Sequence, residues 1–326
     1  MKKTIRIGTR DSELALWQAN TVQSKLEDLG YSTQLVPVKS EGDLILDIPL
    51  YEMGITGIFT KTLDVAMIQG KVDIVVHSMK DVPTSLPKGI VQTAVLQRAT
   101  SDDILVTDGT IDFEKPCTIS TGSLRRKAQW LNRYPNHELV DLRGNVNTRL
   151  QKLNDNKWEG AIFAKAGMER LGFISGNQID SPNFVGPFQN LDWMIPAPAQ
   201  GAMVVVAMDN DAYCKEASSK LNHRESQICT LIERQFLRTL EGGCSAPIGA
   251  FAEIVDNQIV FKGCLFSLDG RTNLEIEKTT PLPSSHDVMK ENEFFLGITQ
   301  FGKDCASEIL KNGGTELMRV IKSELT

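Results

Sequence analysis

Hydrophobic residues in the first eighty positions alternate between short continuous runs and runs with helical spacing. Short runs rich in β-branched residues predict strands at 4–8, 34–38 and 72–76. Between the first two strands, apolar residues recur three or four positions apart and share one helix face: Ala15, Ala19, Val22, Leu26 and Leu29. Gly30 ends that helix, and a second helix is predicted over 60–69. Strand, helix and strand in succession predict a parallel sheet.

The same alternation begins again after residue 102 and predicts a second α/β unit. Its predicted strands are 104–107, 117–120, 138–142 and 160–164, and its predicted helices are 123–134 and 146–154. An apolar strand over 202–208 follows the proline-rich segment 195–198 and is expected to return to the first unit. The two units would then be α/β lobes that enclose a cleft and are joined by crossings near 98–101 and 193–198.

The last third of the chain predicts a smaller α+β domain. Its predicted helices are 224–241, 293–310 and 316–323. Two β-rich runs, 248–255 and 258–267, predict a hairpin around Asp256 and Asn257. We therefore expect domain 1 over 1–98 and 197–215, domain 2 over 99–196 and domain 3 over 216–326.

Composition agrees with a globular protein of several domains. The chain has 326 residues, 41% hydrophobic and 23% charged, and domains typically hold about 100–200 residues. The longest apolar stretch, 193–208, contains two prolines and Gln200, so it is not a simple membrane span. The N-terminus passes from two lysines directly into a strand without the apolar segment of a secretory signal. We expect a cytoplasmic protein that does not bind membranes.

Charge is distributed unevenly along the chain. The net charge of −6 argues against a protein that coats nucleic acid or an anionic membrane. Residues 121–170, however, hold ten basic and five acidic side chains. This window indicates a local anion site, although solvated basic helix faces explain it equally well at this stage.

The six cysteines do not form a metal or redox motif, because no two have CxxC spacing, and we expect no metal. Most should be free thiols in the core, as the helical spacing of Cys229 with Ile232 and Phe236 indicates. Cys244 differs because it follows two glycines in a loop between a helix and a strand. It is a candidate nucleophile or attachment point.

The segment 121–126, Thr-Gly-Ser-Leu-Arg-Arg, joins a predicted strand to a predicted helix. Its backbone N–H groups and the hydroxyls of Thr121 and Ser123 would form an anion site. Arg125 and Arg126 in the first helical turn oppose the helix dipole unless an anion lies in front of them. The alternative is an ordinary serine cap with arginines that point outward.

Arginines recur at the other strand-to-helix junctions. Arg143 and Arg149 follow the next strand, while Arg10 and Ser12 follow the first. Because arginine binds carboxylates and phosphates bidentately, several of them predict a ligand with many acidic groups. Neither GxGxxG nor a P-loop accompanies them, so a nucleotide cofactor is not expected.

A buried strand delivers polar residues at its C-terminal end, in the sequence Val-His-Ser-Met-Lys-Asp-Val-Pro over 76–83. Asp81 lies among basic residues, where a carboxylate stays ionised and stabilises a developing cation. A structural aspartate in a turn before proline is the equally open alternative. His77 is interpreted as a strand histidine without a catalytic role.

Five motifs in this order resemble the porphobilinogen deaminase family over residues 4 to about 268. They are Arg-Asp-Ser-Glu-Leu-Ala-Leu-Trp-Gln-Ala at 10–19, His-Ser-Met-Lys-Asp-Val-Pro at 77–83, Ser-Leu-Arg-Arg at 123–126, Leu-Arg-Gly-Asn-Val at 142–146 and Glu-Gly-Gly-Cys at 241–244. The resemblance implies an α/β fold with two lobes like those of periplasmic binding proteins, a central cleft and a smaller α+β C-terminal domain. It also implies a transferase that condenses four porphobilinogen molecules into hydroxymethylbilane, releases ammonia and acts in tetrapyrrole (haem) biosynthesis. A dipyrromethane cofactor would be attached to Cys244 through a thioether.

The resemblance assigns roles to residues that match the motifs, with Asp81 as the catalytic residue. It implies cofactor binding by Cys244, Lys80, Asp81, Ser78, Thr121, Ser123, Arg125, Arg126, Arg143 and Gly144. It implies substrate binding by Arg10, Ser12, Lys61, Arg143, Arg149, Arg170 and Gln200. A monomer is expected, with porphobilinogen as substrate and uroporphyrinogen-III synthase as the acceptor of the product.

The chain departs from the family at two positions. Thr56, in the glycine-punctuated stretch 42–57 that we predict to be a loop, stands where a lysine is common, and Ala199 stands where a glycine is usual. Two other classes of protein stay open from the residues alone. One is a binding protein that holds a small dicarboxylate without catalysis, and the other is a cysteine-dependent acyl-transfer enzyme with a histidine beside Cys244.

Overall fold

The computed structural model describes residues 3–39, 60–109, 111–241, 246–282 and 291–325. The predicted loop 42–57, with Thr56, lies outside these residues, and so does Cys244 with its glycines. Across the described ranges, none of the helices has the length and apolar character needed to cross a bilayer.

The first lobe is a five-stranded sheet with helices on both faces. Its strands are β1 (Ile5–Thr9), β2 (Thr33–Pro37), β3 (Ile74–Ser78), β4 (Ile90–Val95) and β12 (Met203–Met208), in the order β2-β1-β3-β12-β4. β1 pairs in parallel with β2 and β3, as predicted, and β12 returns antiparallel between β3 and β4. Its helices are α1 (Glu13–Asp28), α2 (Lys61–Ile68) and α6 (Ala212–Ser219).

Side chains of β3 alternate between the two faces of that sheet. Ile74 and Val76 pack with α1 and α6, whereas Val75 packs with Leu63 and Met67 of α2. Because both faces are covered, the strand is apolar at every position until it reaches His77 and Ser78. The polar residues therefore begin at the edge of the lobe.

The second lobe is a seven-stranded sheet in the order β7-β6-β8-β5-β11-β10-β9. Its strands are β5 (Asp103–Val106), β6 (Thr118–Ser120), β7 (Glu138–Val140), β8 (Gly160–Ala164), β9 (Ile174–Ser175), β10 (Gln178–Ser181) and β11 (Phe184–Asn190). Its helices are α3 (Leu124–Arg133), α4 (Val146–Asp155) and α5 (Lys165–Arg170). β6 lies parallel to β7 and β8, while β5 and β9 to β11 form an antiparallel extension.

Two chain segments cross between the lobes and lie side by side. Leu96 N donates to Met203 O at 3.1 Å, and Ala99 N donates to Gly201 O at 3.2 Å. The connecting segments are 96–102, between β4 and β5, and 191–202, between β11 and β12, while the domain boundaries stay a prediction. The second crossing contains Ala199 in the left-handed region, with φ +63°.

That conformation explains why a glycine suits position 199, and it makes a testable prediction. Left-handed backbone costs a residue with a side chain about 1–2 kcal/mol, which exceeds the extra chain entropy of glycine. Ala199→Gly is therefore expected to raise the free energy of unfolding by up to about 1 kcal/mol. Ala207→Gly, in the buried extended backbone of β12, is the control that should lower it. Denaturant titration of both variants measures the difference, and an equal loss in both would contradict the strain at Ala199.

The third unit is an antiparallel sheet, β13-β14-β15, covered by helices. Its elements are β13 (Ile248–Val255), β14 (Gln258–Phe266), β15 (Asn273–Pro281), α7 (Arg224–Thr239), α8 (Glu291–Ile309) and α9 (Thr315–Glu324). Asp256 and Asn257 have positive φ, as a two-residue hairpin turn requires, and they confirm the predicted hairpin. Phe236 and Phe261 lie at the centre of its core.

Candidate functional site

Polar residues follow the strand ends of both lobes. Arg10 follows β1, and β3 leads into a single 3-10 turn, Met79–Asp81, which carries Lys80 and Asp81. In the second lobe, Thr121 follows β6 directly. The carboxyl ends of parallel strands share one edge of a sheet, where ligands bind in open α/β folds. The structure thus brings the predicted motifs to the sheet edges beside the two crossings.

Arg125 and Arg126 both bind one buried carboxylate, that of Asp103 at the start of β5. Asp103 oxygens lie 2.7 Å from Nη2 of each arginine, and Arg126 Nε donates to Oδ1 at 3.0 Å. Arg126 also donates to the carbonyl of Ile162, and Arg125 donates to that of Ile195. Both guanidinium groups are therefore buried and fixed in place.

The serine cap that we weighed as an alternative is present, but its arginines do not point outward. Ser123 is the N-cap of α3, where its Oγ accepts from Arg126 N at 3.5 Å. Thr121 Oγ1 accepts from Ser123 N at 3.3 Å. The junction therefore combines a structural cap with inward-facing cations.

Gln200 joins this ion pair to the first lobe. Its Nε2 donates to Asp103 Oδ1 at 2.9 Å and to Ser101 O at 2.7 Å. Its Oε1 accepts from Lys80 Nζ at 3.3 Å. A continuous polar network thus runs from the arginines of the second lobe, through a crossing, to the turn that carries Asp81.

The pKa values of Lys80 and Asp103 are shifted by the other charged groups of this network. The pKa of Lys80 falls to about 8, because burial and the positive charges of Arg126 and Arg125 together outweigh the attraction of Asp81 and Asp103. Burial alone would raise the pKa of Asp103, but the two arginines outweigh it and bring that pKa to about 2. Asp103 is therefore ionised and Lys80 is easily deprotonated.

Arg149, on α4, interacts electrostatically with charged groups of both lobes. Its pKa falls to about 10, because burial and the charges of Arg126, Arg143 and Arg10 together outweigh the attraction of Asp81. Arg10 and Asp81 belong to the first lobe, so these groups meet across the cleft. We call this set the cleft cluster: Arg10, Lys80, Asp81, Asp103, Arg125, Arg126, Arg143 and Arg149. Its basic side chains outnumber its carboxylates.

Three other predicted residues lie against the same region through side-chain or backbone contacts. Ser78 Oγ accepts from Gln18 Nε2 at 2.8 Å. Gly144, with φ +117°, accepts from Arg149 Nε through its carbonyl at 2.7 Å. Arg170 donates to Gly201 O at 2.6 Å, beside Gln200 on the second crossing. These contacts position the three residues without testing the ligands we assigned to them.

Within the described ranges, the side chains of Ser12 and Lys61 make no hydrogen bond or ion pair with the cleft cluster. Ser12 is the N-cap residue of α1, without a side-chain cap hydrogen bond. Lys61 is exposed at the first position of α2. Their assignment to substrate binding stays a prediction.

A second buried carboxylate, Glu233 on α7, was not predicted. It binds Arg98 of the first crossing through both oxygens, at 2.6 and 3.2 Å. The backbone N–H groups of Ala199 and Ala252 donate to it at 2.6 and 2.8 Å. Burial raises the pKa of Glu233 despite these partners. The third domain is thereby attached to both crossings.

Two α/β lobes with a cationic cleft, attached to a third α+β domain, define a protein suited to a ligand with several acidic groups. The chain belongs to the porphobilinogen deaminase family. The family model described as "Porphobilinogen deaminase, dipyromethane cofactor binding domain" matches residues 5–216, and the model of the C-terminal domain matches residues 227–311. The predicted family, its cofactor and the two-lobed fold with a third domain are confirmed.

Curated relatives match nearly the whole chain. A porphobilinogen deaminase of Geotalea uraniireducens is 38% identical over 97% of this chain and 94% of the relative. One of Desulfitobacterium hafniense is 37% identical over 99% of both chains. Among solved structures, a probable amino-acid ABC transporter extracellular-binding protein of Bacillus subtilis is 14% identical, with a TM-score of 0.40 over 68% of this chain and 91% of that chain.

The cleft cluster fits the dipyrromethane cofactor of the family, because a dipyrromethane built from porphobilinogen carries acetate and propionate groups. Arg125 Nε is buried and has no hydrogen-bond partner among the residues that the structure describes. Lys80 and Arg149 carry lowered pKa values in a cluster where cations predominate. A polycarboxylate would offset that repulsion and supply the missing acceptor.

Proposed function

We propose that this chain condenses four porphobilinogen molecules head to tail into hydroxymethylbilane and releases ammonia at each step. The observation that carries this proposal is the cleft cluster, in which buried and half-buried cations of both lobes lie near the turn that carries Asp81. Attached to Cys244, the dipyrromethane cofactor would supply the pyrrole to which the first substrate is joined. Residues 1–98 with 197–215, 99–196 and 216–326 would form the three domains.

Asp81 is the residue to which we assign catalysis. It is half-buried at the end of the turn Met79–Asp81, next to Lys80 and within electrostatic reach of Arg149. Positive charge develops on the substrate as its ammonia leaves, and an adjacent carboxylate stabilises that charge. The same carboxylate accepts hydrogen bonds from pyrrole N–H groups.

The cations of the cleft bind the acetate and propionate groups of the pyrroles. Arg125 and Arg126, fixed by Asp103, face the cofactor with Lys80, Thr121, Ser123, Ser78, Arg143 and Gly144. The growing chain contacts Arg10, Ser12, Lys61, Arg149, Arg170 and Gln200. Guanidinium groups match carboxylates bidentately, so an array of them holds each added ring in a defined orientation.

The location, assembly and product transfer of the enzyme are part of the same proposal. We assign it to the cytoplasm as a monomer, with its product passed to uroporphyrinogen-III synthase. The test of the function itself is direct: the purified protein is supplied with porphobilinogen, and ammonia and bilane are measured. Four ammonia molecules per bilane are expected, and binding of porphobilinogen without ammonia release would contradict the proposal.

Lys80, which we assign to cofactor binding, should make cofactor attachment depend on pH. In the cofactor-free protein its pKa of about 8 means that the ammonium is present below pH 8 and is lost as the pH rises through that value. Attachment of the cofactor after the cofactor-free protein is mixed with porphobilinogen is therefore expected to slow between pH 7 and pH 9. Lys80→Arg keeps its charge in this range and should flatten that pH profile. Intact mass followed over time at each pH measures both, and an unchanged inflection in Lys80→Arg would contradict the role of Lys80.

A further inference from the structure

One arginine of the third domain binds the backbone of the turn that carries Asp81. Arg234, on α7, donates from Nη2 to Pro83 O at 2.6 Å and from Nη1 to Val82 O at 2.8 Å. A longer bond of 3.3 Å joins Nη1 to Met79 O. The acceptors lie on both sides of Asp81 in the chain, so one guanidinium spans the whole turn.

These bonds add to the few backbone hydrogen bonds that hold the turn. It is a single 3-10 turn closed by one bond, from Val82 N to Met79 O at 3.2 Å, and Met79 N donates to Ala202 O at 3.0 Å. Hydrogen bonds from a charged donor are stronger than neutral ones. The planar fork of arginine directs several N–H groups at once, whereas a lysine ammonium is a point charge on a flexible stem. Arg234 therefore restricts the position of Asp81 through these bonds to the backbone carbonyls of the turn, and not through the Asp81 carboxylate.

The residue that precedes Arg234 attaches α7 to both crossings between the lobes. Glu233 is buried and binds Arg98 and the N–H of Ala199, one on each crossing between the lobes. Glu233 and Arg234, which are adjacent on α7, thus bind the two crossings and the turn, respectively. The placement of the turn depends on how the third domain docks against the first two.

We propose that Arg234 is a positioning residue for Asp81, through which the third domain sets the orientation of that carboxylate. The inference rests on the proposed catalytic role of Asp81. In the proposed enzyme the third domain also carries the cofactor, so the domain that holds the growing chain would also place the group that promotes each addition. A misplacement of about 1 Å in a reacting geometry costs on the order of 100-fold in rate.

Arg234→Lys tests this inference because it keeps the charge and removes the fork. We expect kcat, expressed per molecule that carries the cofactor adduct, to fall at least tenfold, while KM and the unfolding midpoint change little. Arg234→Gln, which lacks the charge, provides a second variant with the same expected loss of kcat. Arg238→Lys, exposed one turn further along α7, is the matched control and should behave as the unaltered protein. Normal kcat in both Arg234 variants would overturn the inference.

A double-variant cycle separates positioning from a purely structural role. If Arg234 acts through Asp81, adding Arg234→Lys to Asp81→Asn should not lower the residual turnover further. A full additional loss in that background would overturn the inference. Should Asp81→Asn alone retain normal turnover, the catalytic assignment fails and the inference with it. If only the inference about Arg234 fails, Asp81→Asn is inactive but Arg234→Lys is fully active. This result differs from the failure of the catalytic assignment, in which Asp81→Asn is active.

Discussion

Asp81→Asn is expected to lower turnover about 100- to 1,000-fold, which is the range seen when one electrostatic contact to a transition state is removed. The amide is nearly the same size as the carboxylate, so the turn Met79–Asp81 and its bonds to Arg234 should stay intact. What is lost is the negative charge next to the cation that forms as ammonia leaves. Initial rates of ammonia release under saturating porphobilinogen measure the effect.

The controls for this prediction separate catalysis from folding and cofactor attachment. The unfolding midpoint and the intact mass of Asp81→Asn should match those of the unaltered protein. Asp28→Asn, at the exposed end of α1, changes the same chemical group away from the cleft and should leave turnover unchanged. Ammonia release by Asp81→Asn at a near-normal rate would refute the catalytic role.

Asp103→Ala is expected to lower the free energy of unfolding by about 3–5 kcal/mol, the cost of breaking a buried ion pair by removing one partner. Asp103 is fully buried and holds Arg125, Arg126 and Gln200. Without it, two buried guanidinium groups repel each other and Gln200 loses an acceptor. The carboxylate binders of the second lobe then lose their fixed positions, so assembly of the bilane should fail as well.

Denaturant unfolding of Asp103→Ala beside Asp102→Ala tests this prediction. Asp102 is the adjacent residue and is exposed, so its substitution should change stability by less than about 0.5 kcal/mol. If the two variants have similar unfolding free energies, Asp103 does not stabilise the arginine pair as its contacts indicate. Asp103→Asn adds a finer comparison, since it keeps the shape and removes only the charge.

The sequence patterns predicted the elements whose burial follows a clear period. Helix α7 and strand β8 lie where the spacing of apolar residues placed them, within two residues at each end. The strands β9 to β11 were not predicted, because residues 174–190 are rich in glycine, proline and asparagine that favour turns. Strand β15 was missed because its charged residues are exposed, with Ile276 the apolar position it buries.

From the residue pattern alone, the candidate site was predictable where chemistry follows a strand end, and the family resemblance added Gln200 and Arg170. Asp81, Arg125 and Arg126 were predicted because their motifs directly follow predicted strands, so that motif and local element occur together in the chain. Asp103 pairs with arginines more than twenty residues away because β5, β8 and β6 are neighbours in a sheet. Glu233 and Arg234 lie on a helix of another domain, and only tertiary docking brings them to the crossings and the turn. Their sequence positions carry no comparable indication.

Intact mass of the purified protein shows whether this chain builds a tetrapyrrole on a covalent cofactor. We expect a mass above that of the sequence by a two-pyrrole adduct, which Cys244→Ser abolishes. Brief exposure to porphobilinogen should add further single pyrrole units. An unmodified mass in a folded protein, unchanged by porphobilinogen, would refute the proposed function and leave a binding protein without catalysis.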